Sequence, residues 1–482
     1  MKNRLSPFAT AFAVLAMTGC SKSPRVEKMN VIYIMADDLG YGDLGFTGQS
    51  RFETPNIDRL RAEGMLLTEH YSGCTVSAPS RCALMTGLHT GHCFIRGNLE
   101  IGAEGQLPLP GGTYTMARMF EQAGYATGAF GKWGLGYPGS EGDPVNQGFD
   151  EFFGYNCQRQ AHRYYPTHLW RNRDSVILHG NAGYARGDYA PDLIQAQALR
   201  FIADNRNKPF FLYLAIVQPH AELLAPEDSL MERYRGRFDE QPYLARAGGD
   251  YGPGMTVIDY CSQSEPYATF AAMVGRIDRY VGEVMAELRR LGLDRNTLVV
   301  FTSDNGPHRE GGANPDYFDS YGPFRGVKRD LYEGGIHLPL VVRAPGMVEA
   351  GSSSDHICAG WDMLPTMAEL AGVELPGPTD GISILPTLTG KGAQGEHPYL
   401  YWEFHELGGR VAVRMGRWKG VMLNVSEREK ATFELYDLSV DRHEDHNVAV
   451  EHPEVVQKIK EIMRTARTPS EVFIFDNASI YV

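Results

Sequence analysis

Apolar runs alternate along the chain with segments of helical periodicity. Residues 31–36, 125–130, 209–217 and 297–303 contain no charged side chain, which is typical of strands covered on both faces. Residues 193–202 and 270–288 carry apolar side chains at helical spacing, which predicts helices packed on one face. We therefore expect an α/β fold.

The pattern changes after a stretch rich in glycine and proline between residues 372 and 395. Short strands separated by turn signals, and then a helix, are predicted beyond it. These elements cover residues 399–404, 411–415, 418–423, 433–437 and 453–465. The change predicts a main domain over residues 29–390 and a smaller α+β domain over residues 395–482.

Polar and charged side chains follow four predicted strands, at the point where each strand ends. They are, in chain order, Asp37 with Asp38, Lys132, His220, and Asp304 with Asn305. Open α/β sheets place their sites at the carboxyl ends of strands. Adjacent carboxylates are costly to bury unless a cation neutralises them, and oxygen ligands suit calcium or magnesium. A solvated turn before Gly40 is the alternative.

Residues 77–87, Ser-Ala-Pro-Ser-Arg-Cys-Ala-Leu-Met-Thr-Gly, place a proline two positions after a small hydroxyl residue. Proline is tolerated in the first turn of a helix, so we expect a helix from about Ser80, with Ser77 just outside it. Free backbone N–H groups and the helix dipole favour an anion there. Arg81 would face the same anion, and an ordinary helix cap is the alternative.

The overall charge restricts the class of partner. The 482 residues carry a formal net charge of −13, which argues against nucleic acid or an anionic membrane surface as partner. An anionic substrate would therefore need a local cluster of basic residues.

The N-terminal segment has the order of a secretion signal. Basic residues precede an apolar run over residues 8–17, and Thr18-Gly19-Cys20 follows. The pattern predicts a signal peptide over residues 1–20. A small pair before a cysteine is also typical of a bacterial lipoprotein, with Cys20 lipidated and residues 21–28 as a tether. A plain signal peptide with an incidental cysteine is the alternative. We expect an exported protein, in the periplasm or at the cell surface, that meets a membrane only through its lipid anchor.

Seven cysteines are present, and six remain once Cys20 is set aside. Their wide spacing matches no zinc or haem motif. The sequence leaves open whether Cys74 and Cys82 form a disulfide.

The stretch that begins at Ser77 resembles the signature of the type I sulfatases, in which a cysteine or serine at the first position is oxidised to formylglycine. Ser77 makes this signature one of the serine type. Further blocks similar to that family are residues 37–43, 131–136, 304–306 and 326–339. The resemblance covers about residues 29–450 and implies an alkaline-phosphatase-like mixed sheet flanked by helices, with a smaller C-terminal α+β domain.

The resemblance also implies a role for each block. One Ca²⁺ ion would be held by Asp37, Asp38, Ser77 in its oxidised form, Asp304 and Asn305. The sulfate of a sulfated glycan would be surrounded by Arg81, Lys132, His220 and Lys328. A formylglycine-generating maturase would oxidise Ser77, and the formylglycine hydrate would attack sulfur. His220 or Lys328 would protonate the departing alcohol.

Two further features bear on the mechanism and on the substrate. Many members of the family carry, at the position of Gly134, a histidine that hydrogen-bonds the hydrated aldehyde, and its absence here makes His162 a candidate replacement. The loop after Trp402 combines carboxylates and a cation, which suits a sugar, although an edge hairpin with solvated charges is the alternative. The predicted sugar-binding residues are Gln158, Arg159, His162 and His168 on one wall, and Glu403 and His405, with Trp402 as a stacking ring, on the other. We expect a sulfated galactose or N-acetylgalactosamine.

Three functions agree with these residues. The first is an exported sulfatase acting on sulfated carbohydrate. The second is a phosphatase or phosphonate hydrolase of the same superfamily, which would normally need two metals and more histidine ligands. The third is a non-catalytic glycan-binding lipoprotein, which applies if Ser77 is never oxidised. Retention of the metal and sulfate residues argues against the third.

Overall fold

The computed structural model describes Met1 and residues 28–102, 104–246 and 260–475. Cys20 and nearly all of the predicted signal segment and tether lie outside these ranges. Among the described residues, no helix has the length and apolar character needed to cross a membrane.

Each apolar run of the sequence corresponds to a strand of the structure. The run at residues 297–303 has the same bounds as one of these strands. In chain order they are β1 (Asn30–Asp37), β2 (Met65–Leu67), β3 (His70–Tyr71), β4 (Ala126–Lys132), β5 (Glu151–Tyr155), β6 (His168–Arg171), β7 (Asp174–Ile177), β8 (Phe210–Pro219), β9 (Thr297–Ser303), β10 (Leu340–Arg343), β11 (Ser353–Ser354), β12 (Cys358–Ala359), β13 (Leu400–Phe404), β14 (Arg410–Met415), β15 (Trp418–Leu423) and β16 (Thr432–Asp437).

The helices include every one that helical periodicity predicted. In chain order they are α1 (Pro55–Ala62), α2 (Ser77–Thr86), α3 (Met116–Gln122), α4 (Gln158–Ala161), α5 (Ala190–Asp204), α6 (Ser229–Tyr234), α7 (Pro266–Leu291), α8 (Pro315–Phe318), α9 (Glu333–Ile336), α10 (Met363–Ala371), α11 (Leu385–Thr389) and α12 (Pro453–Thr465).

The main body is built on one mixed sheet with the strand order β11-β2-β10-β9-β1-β8-β4-β5-β6-β7. Its central strands, from β9 to β5, are parallel, and antiparallel pairs extend it on both sides. Alternate side chains of β1 enter two different cores, as the period of a strand requires. Ile32 and Ile34 pack with α1, α5 and α7, whereas Tyr33 and Met35 pack with α2, α3 and α10. Helices on both faces explain the uninterrupted apolar runs, and the predicted mixed sheet is confirmed.

A second sheet has the antiparallel order β13-β14-β15-β16. One of its faces packs through Trp402 against Tyr71 and Trp361 of the main body. The other face is covered by α12, through Ile459 and Met463. This arrangement confirms the smaller α+β part predicted at the C-terminal end.

The cysteines of the described residues are buried free thiols. Cys74 and Cys82 are therefore not paired with each other in this structure.

A buried group of charges joins the small sheet to the main body. Lys419 of β15 is completely buried, and its Nζ lies 2.7 Å from Glu333 Oε1 and 3.3 Å from Glu444 Oε1. Glu333 also accepts a hydrogen bond of 2.6 Å from the Tyr71 hydroxyl. Removing one partner of such a group leaves a buried charge without compensation, which is strongly destabilising.

We expect Lys419→Ala to lower the free energy of unfolding by about 3–5 kcal/mol, because Glu333 and Glu444 lose their shared cation. Urea denaturation followed by circular dichroism measures the change. Lys430→Ala removes a lysine from an exposed pair with Glu427, so this control should keep the wild-type midpoint. Equal midpoints for the two variants would contradict the role of Lys419.

Candidate active site

Four adjacent strands of the large sheet end at the same edge. β9, β1, β8 and β4 are parallel neighbours, with Ala36 opposite Ser303 and Asp37 opposite Pro219. The residues that follow these strands therefore lie side by side. The structure thus brings together all four sets of polar residues that were predicted from the strand ends.

Three carboxylates and one amide form an oxygen-rich cluster at this edge. Asp37, Asp38, Asp304 and Asn305 are all completely buried. Asn305 Nδ2 donates to Asp38 Oδ1 at 2.7 Å, and the backbone N–H of Asp38 donates to Asp304 Oδ1 at 3.2 Å. The Oδ1 atom of Asn305 is buried without a hydrogen-bond partner, so one acceptor of the cluster is left unused.

Each of the three carboxylates has a cationic partner at hydrogen-bond distance. The pairs are Asp37 Oδ2 with Lys132 Nζ at 2.5 Å, Asp38 Oδ2 with Lys328 Nζ at 2.8 Å, and Asp304 Oδ2 with Arg81 Nη2 at 2.8 Å. Three negative and three positive charges cancel, so the six side chains together carry almost no net charge. The pairing is needed because an unpaired buried ion costs several kcal/mol.

The side chain of Ser77 is turned towards this cluster. Its Oγ donates to Asp37 Oδ1 at 3.0 Å and lies 3.2 Å from Lys132 Nζ. Ser77 is 2% exposed, so the hydroxyl faces the charged groups and not bulk solvent.

The start of α2 differs from the prediction. The helix begins at Ser77 and not at about Ser80. Pro79 is tolerated in the first turn, because the backbone N–H groups of that turn have no hydrogen-bond partner within the helix. Asn98 Oδ1 accepts a hydrogen bond of 3.1 Å from the backbone N–H of Ala78. A residue distant from the helix thus satisfies one of its free donors, which no pattern within residues 77–87 could indicate.

His220 is a neutral hydrogen-bond acceptor in this structure. Its Nδ1 is bonded to the backbone oxygen of Ala221, which assigns the proton to Nδ1, and its Nε2 lies 3.0 Å from Lys328 Nζ. Burial and the charge of Lys328 lower the pKa of His220 well below its usual value. Burial alone would also lower the pKa of Lys328, but the charges of Asp38 and Glu310 outweigh it and raise that pKa. Of the pair formed by His220 and Lys328, Lys328 is therefore the protonated residue.

Burial and nearby charges also oppose each other at the carboxyl groups. Burial alone would raise the pKa of Asp37, but the surrounding cations, led by Lys132, outweigh it and hold the pKa below its usual range. At Asp304 burial dominates and, with the charge of Asp37, raises the pKa to about 6. Asp37 is thus the more firmly ionised of the two.

The donor set fits a hard divalent cation. The cluster offers carboxylate oxygens and the unpartnered Oδ1 of Asn305, and calcium and magnesium prefer oxygen ligands. Asp37, Asp38 and His220 also present one ligand atom each within 4.8 Å of one another. Because the ion pairs cancel, a divalent cation would give the cluster the net positive charge that an anionic ester needs.

Two of the predicted sugar-binding residues lie beside the cluster. The ring of His162 stacks on that of His220, with centroids 4.7 Å apart and planes inclined by 11°. Gln158 lies against Gly134: a Cβ added to this glycine would be 2.3 Å from Gln158 Nε2, a buried nitrogen without a hydrogen-bond partner. Gln158, and not His162, thus occupies the space that a side chain at residue 134 would fill.

Arg159 and His168 are bonded to carboxylates of a neighbouring segment. Arg159 pairs with Glu100 and donates to the backbone oxygen of Gly102 at 2.9 Å. His168 Nε2 lies 3.1 Å from Glu104 Oε1. The polar groups of both residues are therefore used within the chain, and their predicted contact with a sugar stays a prediction.

The placement of Glu403 and His405 argues against their predicted sugar-binding role. Glu403 is completely buried and accepts hydrogen bonds from Arg96 Nη1 at 3.0 Å, Arg467 Nε at 2.7 Å and the Tyr401 hydroxyl at 2.8 Å. His405 Nε2 lies 2.9 Å from the same carboxylate. We correct the interpretation accordingly: Glu403 binds cations of its own chain and tethers segments that are distant in sequence.

The interpretation of Trp402 as a stacking ring for sugar is wrong. Its side chain is completely buried, and its Nε1 donates to the backbone oxygen of Ser72 at 2.9 Å. Alternate residues of β13 face two cores, and Trp402 belongs to the one shared with the main body.

Glu310 is a residue of the site that sequence reasoning missed. Its Oε2 lies 3.1 Å from Lys328 Nζ and 3.1 Å from the Tyr260 hydroxyl. Glu310 follows Asp304 and Asn305 on the same segment after β9, and this short separation was the available signal.

The comparison with protein families agrees with the geometry of this cluster. The family model described as Sulfatase matches residues 29–373. The chain belongs to the sulfatase family. It is accordingly a sulfuric ester hydrolase. A second model, described as N-sulphoglucosamine sulphohydrolase, C-terminal, matches residues 321–468.

Relatives of this sulfatase extend over most of its length. It is 31% identical over 433 residues to N-acetylgalactosamine-6-sulfatase of Mus musculus, an alignment that covers 84% of this chain and 74% of the relative. It is 28% identical to N-acetylgalactosamine-6-O-sulfatase of Bacteroides thetaiotaomicron, with 97% and 100% covered. The crystal structure of Ps i-CgsB superposes with a TM-score of 0.76 at 26% identity, with 94% and 96% covered. The predicted family and the alkaline-phosphatase-like fold are thereby confirmed.

We expect Glu403→Ala to act on stability and not on recognition of the ester. The variant leaves Arg96 and Arg467 without their buried partner, so the free energy of unfolding should fall by about 3–5 kcal/mol, while KM for a sulfate ester stays at the wild-type value. Urea denaturation and steady-state kinetics measure the two effects. The exposed Glu451→Ala is the control and should change neither. A large rise in KM without loss of stability would restore the sugar-binding interpretation.

Proposed function

We propose that this sulfatase is an exported, lipid-anchored enzyme that removes sulfate from sulfated glycans, and that Ser77 is oxidised to formylglycine. The observation that carries the proposal is the position of Ser77 Oγ, 3.0 Å from Asp37 Oδ1 and 3.2 Å from Lys132 Nζ. A nucleophile formed at residue 77 would face the cations that an anionic ester requires. Two relatives are named as N-acetylgalactosamine 6-sulfatases, which supports a sulfated galactose or N-acetylgalactosamine as the sugar.

Asp37, Asp38, Asp304 and Asn305 would hold one divalent cation, Ca²⁺, together with residue 77. Such an ion would supply positive charge to an anionic ester bound at this site. The ammonium groups of Lys132 and Lys328 would bind the remaining sulfate oxygens and fix the orientation of the ester. The guanidinium of Arg81, which is buried and donates to Asp304 Oδ2 at 2.8 Å, would add its positive charge to the site.

Formylglycine at residue 77 would supply a hydrate with two geminal hydroxyls, so that sulfate could be released without attack by a second water molecule. Lys132 Nζ holds a hydrogen bond at residue 77 and keeps its oxygen towards the cluster. Lys328 holds a proton 3.0 Å from the Nε2 atom of neutral His220, and one of these two residues delivers it to the departing alcohol oxygen.

The proposed route to the cell surface rests on the N-terminal sequence. The apolar run and Thr18-Gly19-Cys20 support a lipoprotein signal with Cys20 as the lipidated residue. Before it acts, the enzyme would also need a maturase that oxidises serine.

Mass spectrometry of the peptide that contains residue 77 tests this proposal. Protein from a host with a serine-oxidising maturase should give a peptide lighter than the encoded one by two hydrogen atoms. Ser77→Ala should lower kcat/KM on a sulfated monosaccharide by about a thousandfold or more, because no nucleophile can form. Ser229→Ala, at the exposed first residue of α6, is the matched control and should be fully active. An unmodified, inactive wild type from that host would favour the non-catalytic glycan-binding alternative.

Removal of divalent ions tests the proposed calcium site. Calcium at a concentration one hundredfold above its Kd should stabilise the chelator-treated enzyme by about 2.7 kcal/mol, since the ion binds only the folded state. Asp304→Ala should abolish this stabilisation together with turnover, because the variant lacks one carboxylate ligand. Thermal denaturation with and without calcium measures it, and the exposed Asp239→Ala is the control. The site is misassigned if calcium stabilises Asp304→Ala as strongly as the wild type.

A further inference from the structure

A row of alternating charges leads from the buried cluster to the protein surface. Lys328 Nζ lies 3.1 Å from Glu310 Oε2, Arg329 Nη1 lies 2.5 Å from Glu310 Oε1, and Arg329 Nε lies 3.6 Å from Glu406 Oε2. The side chains of Lys328, Glu310, Arg329 and Glu406 are 4%, 17%, 35% and 41% exposed. Because the exposed fraction increases along the row, these four side chains form a polar wall that leads from the buried cluster to the solvent.

Glu310 lies next to the pair of residues that would deliver a proton to the departing alcohol. Its partner Lys328 is also 3.0 Å from His220 Nε2, and these are the two residues assigned above to proton delivery. Burial alone would raise the pKa of Glu310, but the nearby cations, led by Lys328, outweigh it and hold the pKa below its usual range. The carboxylate is therefore ionised and can only accept hydrogen bonds.

Glu310 has a cation of its own in Arg329, and it is not needed to neutralise Lys328. Lys328 already has an anionic partner in Asp38 at 2.8 Å. Glu310 adds a second anion on the outer side of Lys328, and a negative charge there would repel a sulfate group. The side chain is therefore suited to a part of the substrate that is neutral and offers hydroxyl donors.

Arg329 is held in an unusual backbone conformation next to Glu310. Its φ angle is +76°, a region that a residue with a side chain rarely adopts and that carries a conformational cost. Its backbone N–H donates to the Thr75 oxygen at 3.2 Å, and its backbone oxygen accepts from Arg410 Nη1 at 2.7 Å. The surrounding segments thus fix the backbone from which the guanidinium reaches Glu310.

We propose that Glu310, supported by Arg329, determines specificity for the sugar by accepting a hydrogen bond from a ring hydroxyl next to the sulfate ester. The inference rests on the proposed function and assigns its sugar subsite to the wall formed by Lys328, Glu310, Arg329 and Glu406. Cations in the interior would bind the sulfate, and the carboxylate of Glu310 would bind the neutral sugar ring.

The test compares Glu310→Gln with the wild type on three substrates: a sulfated galactose, its analogue without the neighbouring hydroxyl, and an aryl sulfate. The amide keeps the shape of Glu310 but loses the charge that strengthens the hydrogen bond. We expect kcat/KM on the sulfated galactose to fall about 10- to 100-fold, and the ratio of sugar to aryl activity to fall at least about tenfold. The deoxy analogue should be a poor substrate for both proteins. Glu310→Gln should lower kcat/KM on this analogue by no more than it lowers kcat/KM on the aryl sulfate.

Asp316→Asn is the matched control, since Asp316 forms an exposed carboxylate–guanidinium pair with Arg309 on the same segment. It should leave all three activities at the wild-type level. Equal losses on sugar and aryl esters in Glu310→Gln would overturn the subsite and place Glu310 in the chemical step through Lys328. An unchanged variant would overturn it as well. A wild type that hydrolyses none of the three esters would refute the proposed function itself.

Discussion

Compensation of buried charge is the constraint on which the site depends. Asp37, Asp38 and Asp304 have no exposed surface, and each would cost several kcal/mol to bury without its cation. The three cations come from α2, from the end of β4 and from the segment before α9. The site therefore exists only when these distant parts of the main body are folded together, and its assembly is a result of tertiary structure.

The same compensation explains how an enzyme with a strongly negative overall charge can bind an anionic ester. The formal net charge of −13 opposes the approach of an anion over long distances, but solvent ions screen charges beyond about 10 Å. Inside the cluster the ion pairs cancel, so one additional divalent ion is enough to make the interior positive. Attraction of the substrate is thus a local property of a few buried residues.

The residues of the site that follow strands could be predicted from the sequence. Asp37, Lys132, His220 and Asp304 were predicted together because each follows an uninterrupted apolar run, and parallel strands bring such ends to one edge. Glu403 was misinterpreted and Glu310 was missed. Glu403 pairs with Arg96, which is 307 positions away, and a partner at such a separation leaves no trace in a local pattern. Glu310 follows Asp304 and Asn305 closely in the sequence, but its place in the site depends on its contacts with Lys328 and Arg329.

The contact between Gly134 and Gln158 links the end of β4 to the start of α4. A side chain at residue 134 would need the space that the amide now fills, and a shorter side chain at residue 158 would leave that space empty. Neither position can change freely while the other is kept. Over evolutionary time the two should covary, with a side chain at residue 134 found only where residue 158 leaves room for it. The pair would then divide the family into two groups that can be told apart from sequence alone.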